Sequence, residues 1–369
     1  MASFVYKNAK IRALTCCVPS FVQTINTDIE GRGSRYIKMF VKQTGIRSRH
    51  ISLLQQTCVD LGLDALKRAL EHAKWKPEEL DLVIFDSQTP DYSGGNCNSL
   101  FIHHYLNLKP QCACFDLTLG CSALPYAVNV ASSLINQGNI RKAAILCGDS
   151  QWQTYSSADD IKKSETFLFG EGVGCILLEY AENAPLMEIS LFSDGHGYKH
   201  LCHFDTGIKN SWRKSSTYIL PNGEEYSSGN YMDGLEISVF AAGTVAQYIR
   251  EFWQSRNTSI ENYKTLILHQ ANAQIIKGLV KSLDIDISKV PISLDRYANT
   301  SAASSLVTMC DFYGDNGDDE YYRLCNAAFG IGLSWGICDF YIKPADVLPI
   351  FSSDLVLSEH FLKIKDKDI

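Results

Sequence analysis

Three residues far apart in the chain could together run nucleophilic chemistry: Cys121, His269 and Asn299. Cys121 sits in Phe115-Asp-Leu-Thr-Leu-Gly-Cys-Ser-Ala-Leu-Pro-Tyr-Ala-Val128, where an apolar run stops at Gly120 and a helical pattern begins. Ala127, Val130, Ala131, Leu134 and Ile135 recur at helical spacing, so the sulfur is expected at a helix N-terminus, where unpaired N–H groups and the helix dipole favour a thiolate. Pro125 fits that helix's first turn, where its missing N–H has no intrahelical partner to lose. Thr265-Leu-Ile-Leu-His-Gln-Ala-Asn272 puts His269 at the end of an apolar strand, and Tyr297-Ala-Asn-Thr-Ser-Ala-Ala-Ser304 puts Asn299 in a small-residue turn. A nucleophilic thiolate with two such donors suits attack on a thioester. Each residue alone has a plainer reading: a small buried cysteine, a satisfied core histidine, a turn asparagine.

The elements that must carry these residues come twice over. Cys58 to Ala73 is apolar at helical spacing and leads through Lys76-Pro-Glu-Glu79 into the strand Leu80-Asp-Leu-Val-Ile-Phe85. Phe240 to Trp253 repeats the helical pattern and leads into Thr265-Leu-Ile-Leu268. A second echo pairs Leu168-Phe-Gly-Glu-Gly-Val-Gly-Cys-Ile-Leu-Leu178 with Ala328-Phe-Gly-Ile-Gly-Leu-Ser-Trp-Gly-Ile-Cys338, each a Gly-rich turn before an apolar strand. The chain therefore reads as a duplicated α/β unit, with an N-terminal half at 1–180 and a C-terminal half at 231–345. Residues 181–230 between them hold Ser193-Asp-Gly-His-Gly197, Pro221-Asn-Gly223 and Ser227-Ser-Gly229, turn signals with little periodicity. The tail, 346–369, is mixed and charged, and its last residues are expected to fray.

Composition narrows the class. Of 369 residues, 46% are hydrophobic and 20% charged, the balance of a globular enzyme with a large core. A net charge of −7 argues against nucleic acid or an anionic membrane as partner, and means that an acidic carrier would need a local basic patch. No stretch approaches the roughly 20 apolar residues that span a bilayer, so a cytoplasmic location is expected. Thirteen cysteines fall mostly in apolar runs (Cys147, Cys175, Cys325, Cys338), the pattern of buried reduced thiols. Cys16-Cys17 and Cys112-Ala-Cys114 lack metal-finger spacing, and His196, His200, Cys202 and His203 read as a surface loop, so no metal is expected.

Taken in order, Cys121, His269-Gln-Ala-Asn272 and Asn299-Thr-Ser-Ala-Ala-Ser304 resemble the ketoacyl-ACP synthase III family of the thiolase superfamily. The resemblance continues through Thr44-Gly-Ile-Arg47, Phe169-Gly-Glu-Gly-Val-Gly174, Met232-Asp-Gly234 and Phe329-Gly-Ile-Gly-Leu-Ser-Trp-Gly336, nearly the whole chain. It implies a thiolase-like five-layered αβαβα sandwich of two duplicated halves, with the 181–230 insertion covering the acyl pocket. It also implies a mechanism: Cys121 is acylated, and the backbone N–H groups of Cys121 and Ile331 stabilise the oxyanion. His269 and Asn299 then hydrogen-bond the enolate formed as a malonyl thioester loses carbon dioxide, and the carbanion attacks the acyl-Cys. Phe169–Gly174 imitates a phosphate loop, but the resemblance makes it a structural turn before a core strand. Tyr92 matches the position from which relatives reach across a homodimer interface into the partner's acyl pocket; its plainer reading is a turn tyrosine. Acyl carrier protein is the implied partner, acyl-CoA the second possible donor, and no other cofactor is implied.

Departures from the family pattern bear on the substrate. Ile331 replaces a glycine, which keeps the backbone donor and reshapes the pocket. Relatives that use acyl-CoA clamp adenine between a tryptophan and an arginine; Met39 and Gln43 stand there, and Gln274 replaces a docking arginine. Lys163, Asn272, Lys277 and Lys281 are left as candidates for docking a carrier or CoA, a pattern that points to a specialised lipid or natural-product pathway. Three alternatives stay open. The acyl group could pass to an oxygen, nitrogen or other carbon nucleophile; the chain could be a papain-like hydrolase, whose local signature is absent; or it could be a non-catalytic partner subunit, against which the intact triad argues.

Overall fold

The computed structural model describes residues 2–26, 34–52, 55–92, 97–150, 167–203, 218–219, 225–226 and 230–357. Two sheets organise them. The first runs in the order β17 (Phe351–Ser353), β2 (Ala9–Pro19), β8 (Gly172–Tyr180), β7 (Lys142–Asp149), β5 (Leu82–Asp86), β6 (Ala113–Leu117). The second runs β1 (Ala2–Tyr6), β9 (Met187–Ser193), β16 (Ser334–Ile342), β15 (Tyr322–Gly330), β14 (Thr265–Leu268). Short pairs lie outside them: β3 (Val22–Thr24) with β4 (Ser48–His50), β10 (Leu201–His203) with β13 (Asn230–Met232), and β11 (Tyr218–Ile219) with β12 (Glu225–Tyr226).

The duplication seen in the sequence is one of topology. β7 is parallel to β5 and antiparallel to β8; β15 is parallel to β14 and antiparallel to β16. All five residues of β5 and all four of β14 are buried, which explains why these strands are continuous apolar runs rather than alternating ones. Three buried clusters define the layers. Helices α2 (Cys58–Ala73) and α3 (Asn98–Tyr105) cover the outer face of the first sheet. Helices Ala246–Ser255 and Ala273–Leu283 cover the outer face of the second. Between the sheets lie α4 (Ala123–Asn136) and the helix Ser304–Tyr313, giving the expected αβαβα sandwich. α4 buries Ala123, Ala127 and Ala131, small residues that let both sheets approach. At Gly336 on β16 an added Cβ would meet Pro125 Cβ at 2.4 Å, so the first turn of α4 sits against bare backbone.

Some elements differ from the expectation. The turn-rich 181–230 segment contains β9, seven residues that hydrogen-bond between β1 and β16. Its residues do not alternate regularly between buried and exposed, and turn residues flank them. β1 also joins the second sheet, so the N-terminal half of the sequence completes the sheet of the C-terminal half. In the tail, Phe351–Ser353 forms a strand against β2; residues 358–369 lie outside the described residues. Phe240 to Trp253 is interrupted: a π-helical stretch, Phe240–Val245, separates helix Gly234–Val239 from Ala246–Ser255. Local periodicity does not distinguish such a turn from α-helix. No helix of the described residues is long and apolar enough to cross a membrane.

Candidate active site

The nucleophile candidate lies on a turn clamped from two sides. β6 leads into a single 3-10 turn, Gly120–Ser122, that opens α4. Gly120 has φ +55°, and an added Cβ would lie 2.5 Å from Gln88 Cδ, so both conformation and space require glycine. From below, Asp86 at the end of β5 accepts the N–H groups of Leu119 and Gly120, each at 3.2 Å. From the side, Ser122 Oγ lies 2.7 Å from Ser334 Oγ, and Ser334 donates to the Ile331 carbonyl at 2.7 Å. That chain ties the Cys121 turn to Gly330-Ile331-Gly332, the segment read as the second oxyanion donor. The two run so close that an added Cβ on Gly330 would meet Cys121 Cβ at 2.5 Å.

The Asn299 loop closes over the same turn. Asn299 N–H donates to Leu168 O, and Gly170 N–H donates to Asn299 O, both at 3.0 Å. Phe169-Gly-Glu-Gly is thus the structural turn expected, leading into β8, and it also pins Asn299 through a parallel bridge to Phe169. Asn299 Oδ1 accepts from Ser301 N–H at 2.9 Å, which fixes the amide and leaves its NH2 to donate. Ser301 Oγ lies 3.8 Å from Cys121 Sγ, close to the sulfur rather than serving backbone groups alone. Ala298 and Ser301 both have positive φ, 57° and 48°, backbone strain at the bend that presents Asn299. Behind the loop, Arg49 is 1% exposed; its Nη1 donates to Phe169 O at 2.9 Å, its Nε to Gln23 Oε1 at 2.8 Å, and its guanidinium lies 5.1 Å from the Phe167 ring centroid.

His269 follows β14, its N–H on Ala327 O at 3.0 Å. Its Nδ1 lies 2.6 Å from Ser304 Oγ, and its ring meets Phe329 edge-on at 5.4 Å. With Nδ1 engaged, Nε2 is the nitrogen left for a ligand.

Two influences on the thiol oppose each other. Burial pushes the Cys121 thiol up to about 12, with Asp149 and Asp86 acting in the same direction against the Ser301 hydrogen bond. Burial lowers His269 to about 3. A helix N-terminus contributes at most about 2 kcal/mol, which at about 1.4 kcal/mol per pH unit is too little to ionise such a thiol near neutrality. Burial of the sulfur therefore opposes the thiolate that the helix end favours, beside an imidazole that burial keeps neutral.

The docking candidates separate. Lys277, Lys281 and Gln274 are exposed on the helix Ala273–Leu283. Asn272 is that helix's N-cap, its Oδ1 accepting Ile275 N–H at 2.9 Å, so its side-chain oxygen is committed to the helix. Lys163 lies outside the described residues. Met39 and Gln43 are exposed one turn apart on α1 (Ser34–Thr44). Tyr92 packs on Phe101 of its own chain, ring centroids 5.3 Å apart. His196 is exposed and contacts Asp194, and among the described residues no three His, Cys, Asp or Glu side chains gather as metal ligands. Ser304, Ser334, Asp86 and Arg49 were not anticipated as site residues; Ser304 closes the Asn299 motif, and Asp86 is a lone charge ending an apolar run.

The model of the 3-oxoacyl-[acyl-carrier-protein] synthase III family matches residues 115–195, and the model of its C-terminal part matches 254–341. The chain is also 30% identical, over 333 residues, to the beta-ketoacyl-[acyl-carrier-protein] synthase III of Brucella canis, covering 88% of this chain and 97% of that one. The chain belongs to the ketoacyl-ACP synthase III family. Another ketoacyl-ACP synthase III relative, from Actinobacillus succinogenes, is 29% identical over 334 residues, 89% of this chain and 98% of its own. The crystal structure of a 3-oxoacyl-(acyl-carrier protein) synthase from Burkholderia xenovorans superposes with a TM-score of 0.87 at 23% identity, covering 95% and 99% of the two chains. That likeness speaks to the ketoacyl-ACP synthase III fold, in which Cys121 falls in the first matched region and His269, Asn299 and Ile331 in the second.

Proposed function

We propose that the chain is a condensing acyltransferase that forms a 3-oxoacyl thioester by decarboxylative Claisen condensation. Cys121 attacks an acyl thioester; the C–S bond to the carrier breaks, the new C–S bond to Cys121 forms, and the thiol proton leaves with the carrier thiol. A malonyl thioester then loses carbon dioxide, and the electron pair of that C–C bond becomes an enolate. His269 Nε2–H and the Asn299 amide hold the enolate oxygen. The carbanion attacks the acyl-Cys121 carbonyl, whose oxygen rests on the N–H groups of Cys121 and Ile331, and Cys121 is released.

One observation carries this reading: Asn299 Oδ1 accepts Ser301 N–H and His269 Nδ1 is engaged by Ser304 Oγ, so that with the hydroxyl donating, the Asn299 NH2 and His269 Nε2–H are both set to donate. A neutral imidazole held as a donor suits a developing oxyanion better than proton abstraction from water. Exposed Lys277 and Lys281 support acyl carrier protein as the partner, because a −7 chain needs a local cationic face for an acidic carrier. Met39 and Gln43 in place of an adenine clamp support the carrier over acyl-CoA as donor and a specialised lipid or natural-product pathway. An open β6 supports a homodimer: it is the edge of the first sheet and leads straight to Cys121, and a second copy would cover its open side. Thirteen free thiols favour a cytoplasmic setting.

The test is to supply an acyl thioester and malonyl-carrier protein and measure carbon dioxide and 3-oxoacyl product together. Their equal release supports condensation. Transfer of the acyl group to an acceptor without carbon dioxide would support the non-decarboxylating alternative instead.

A further inference from the structure

Three carboxylates end three adjacent strands beneath the nucleophile turn. Asp116 on β6 accepts Asn98 N–H at 2.6 Å and Ser99 N–H at 3.0 Å, at the start of α3. Asp149, 1% exposed at the end of β7, accepts from Ser87 Oγ at 3.0 Å and Gln88 N–H at 2.6 Å, with its other oxygen 3.5 Å from Ala302 N. Asp86, fully buried at the end of β5, accepts the N–H groups of Leu119 and Gly120, the two residues that precede Cys121. Of the three, Asp86 is the one that holds the nucleophile's own turn.

Among the described residues, the titratable groups acting on Asp86 are Asp149 from β7, Asp116 from β6 and the Cys121 and Cys147 thiols, and none of these brings positive charge. Burial and then Asp149 raise the Asp86 carboxyl to about 7, against the two N–H donors that favour its anion. A carboxyl raised to about 7 is poised to change charge near neutrality while it holds Gly120, the residue before the nucleophile.

We propose that Asp86 is a positioning residue for Cys121: it fixes the turn that aims the thiol, and its charge sets how readily that thiol ionises. The proposal rests on Cys121 as the acylated nucleophile.

Two substitutions separate the duties. In Asp86→Asn the remaining oxygen can take the place of Oδ1, which already lies 3.3 Å from Leu119 N and 3.2 Å from Gly120 N, so the turn is kept and the charge is lost. Asp86→Ala loses both. The experiment measures carboxamidomethylation of Cys121 by iodoacetamide between about pH 5.5 and 10, resolved by peptide mass spectrometry, and in parallel the acylation of Cys121. Wild type and Asp86→Asn should coincide at the acid end and diverge above neutrality, with the variant about threefold faster or more at the alkaline end. Asp86→Ala should lose about tenfold in acylation at every pH. Wild type should also lose thermal stability as pH rises from about 4 to 7, because the folded state keeps the Asp86 proton after the unfolded chain has released it; Asp86→Asn should lack that loss. Superposable alkylation profiles would overturn the charge role, and acylation of Asp86→Ala at the wild-type rate would overturn the positioning role. Should Asp86→Ala fail to fold, Asp86→Asn still decides the charge role, and wild-type acylation by Asp86→Asn together with failed folding of Asp86→Ala supports the fixed turn. If wild-type Cys121 takes no acyl group from any thioester, the functional reading fails, while the alkylation profiles still decide what Asp86 does.

Discussion

Ser304→Ala tests how His269 is made a donor. Ser304 Oγ accepts Gln270 N–H at 3.4 Å and lies 2.6 Å from His269 Nδ1; with its hydroxyl donating to Nδ1, the ring proton sits on Nε2. Removing the hydroxyl strands a buried acceptor, which costs about 1–3 kcal/mol. If that cost falls on the enolate-forming step, its rate drops by about 5- to 150-fold, at 1.36 kcal/mol per decade. Two assays divide the effect: carbon dioxide release from a malonyl thioester should fall by this factor, and mass-detected acylation of Cys121 should fall much less. Because burial holds His269 at about 3, the imidazole is neutral from pH 5 to 8 in both proteins, so the wild-type decarboxylation rate should not climb as pH falls through the usual histidine range. Decarboxylation by Ser304→Ala within about twofold of wild type, or a wild-type rate rising toward pH 5, would refute the reasoning.

Three further outcomes are expected. Gly330→Ala places a methyl 2.5 Å from Cys121 Cβ, and overpacking of this kind costs about 1–3 kcal/mol; acylation should fall by about tenfold or more in a stopped-flow or mass assay. Arg49→Met removes the buried donors to Phe169 O and Gln23 Oε1, bonds worth about 1.5–3 kcal/mol each when charged; condensation should be nearly abolished and the thermal midpoint should drop in calorimetry. A Cys121 thiol held near 12 stays protonated until strongly alkaline pH, so its alkylation rate should rise about tenfold per pH unit from pH 8 to 10, with no plateau. A plateau near pH 7 would mean a resting thiolate.

The sequence made the duplication legible because the strands concerned are buried on both faces and punctuated by glycine. Cys58–Ala73 and Thr265–Leu268 match their periodic patterns residue for residue, since a capping Thr57/Asp60 pair and a short apolar run mark their ends. β9 was missed because seven residues amid turn signals offer too little alternation, and its place is set by pairing with β16. Cys121, His269 and Asn299 were picked out by their motifs as candidates, but the groups that hold them in the structure were not. Ser304, Ser334 and Arg49 act through contacts 35, 212 and 120 residues away in sequence, a separation no local pattern encodes. The opposing pull on the thiol was hidden for a related reason: a helix end is visible in the sequence, whereas desolvation of the sulfur depends on the whole fold.

The central claim is that Cys121 carries the acyl group. Intact-protein mass spectrometry after incubation with acyl-carrier protein and, separately, acyl-CoA tests it most directly. Wild type should carry a single acyl adduct that is absent from Cys121→Ala and forms faster from the carrier than from the coenzyme. No adduct from either donor, or an adduct that survives in Cys121→Ala, would contradict it.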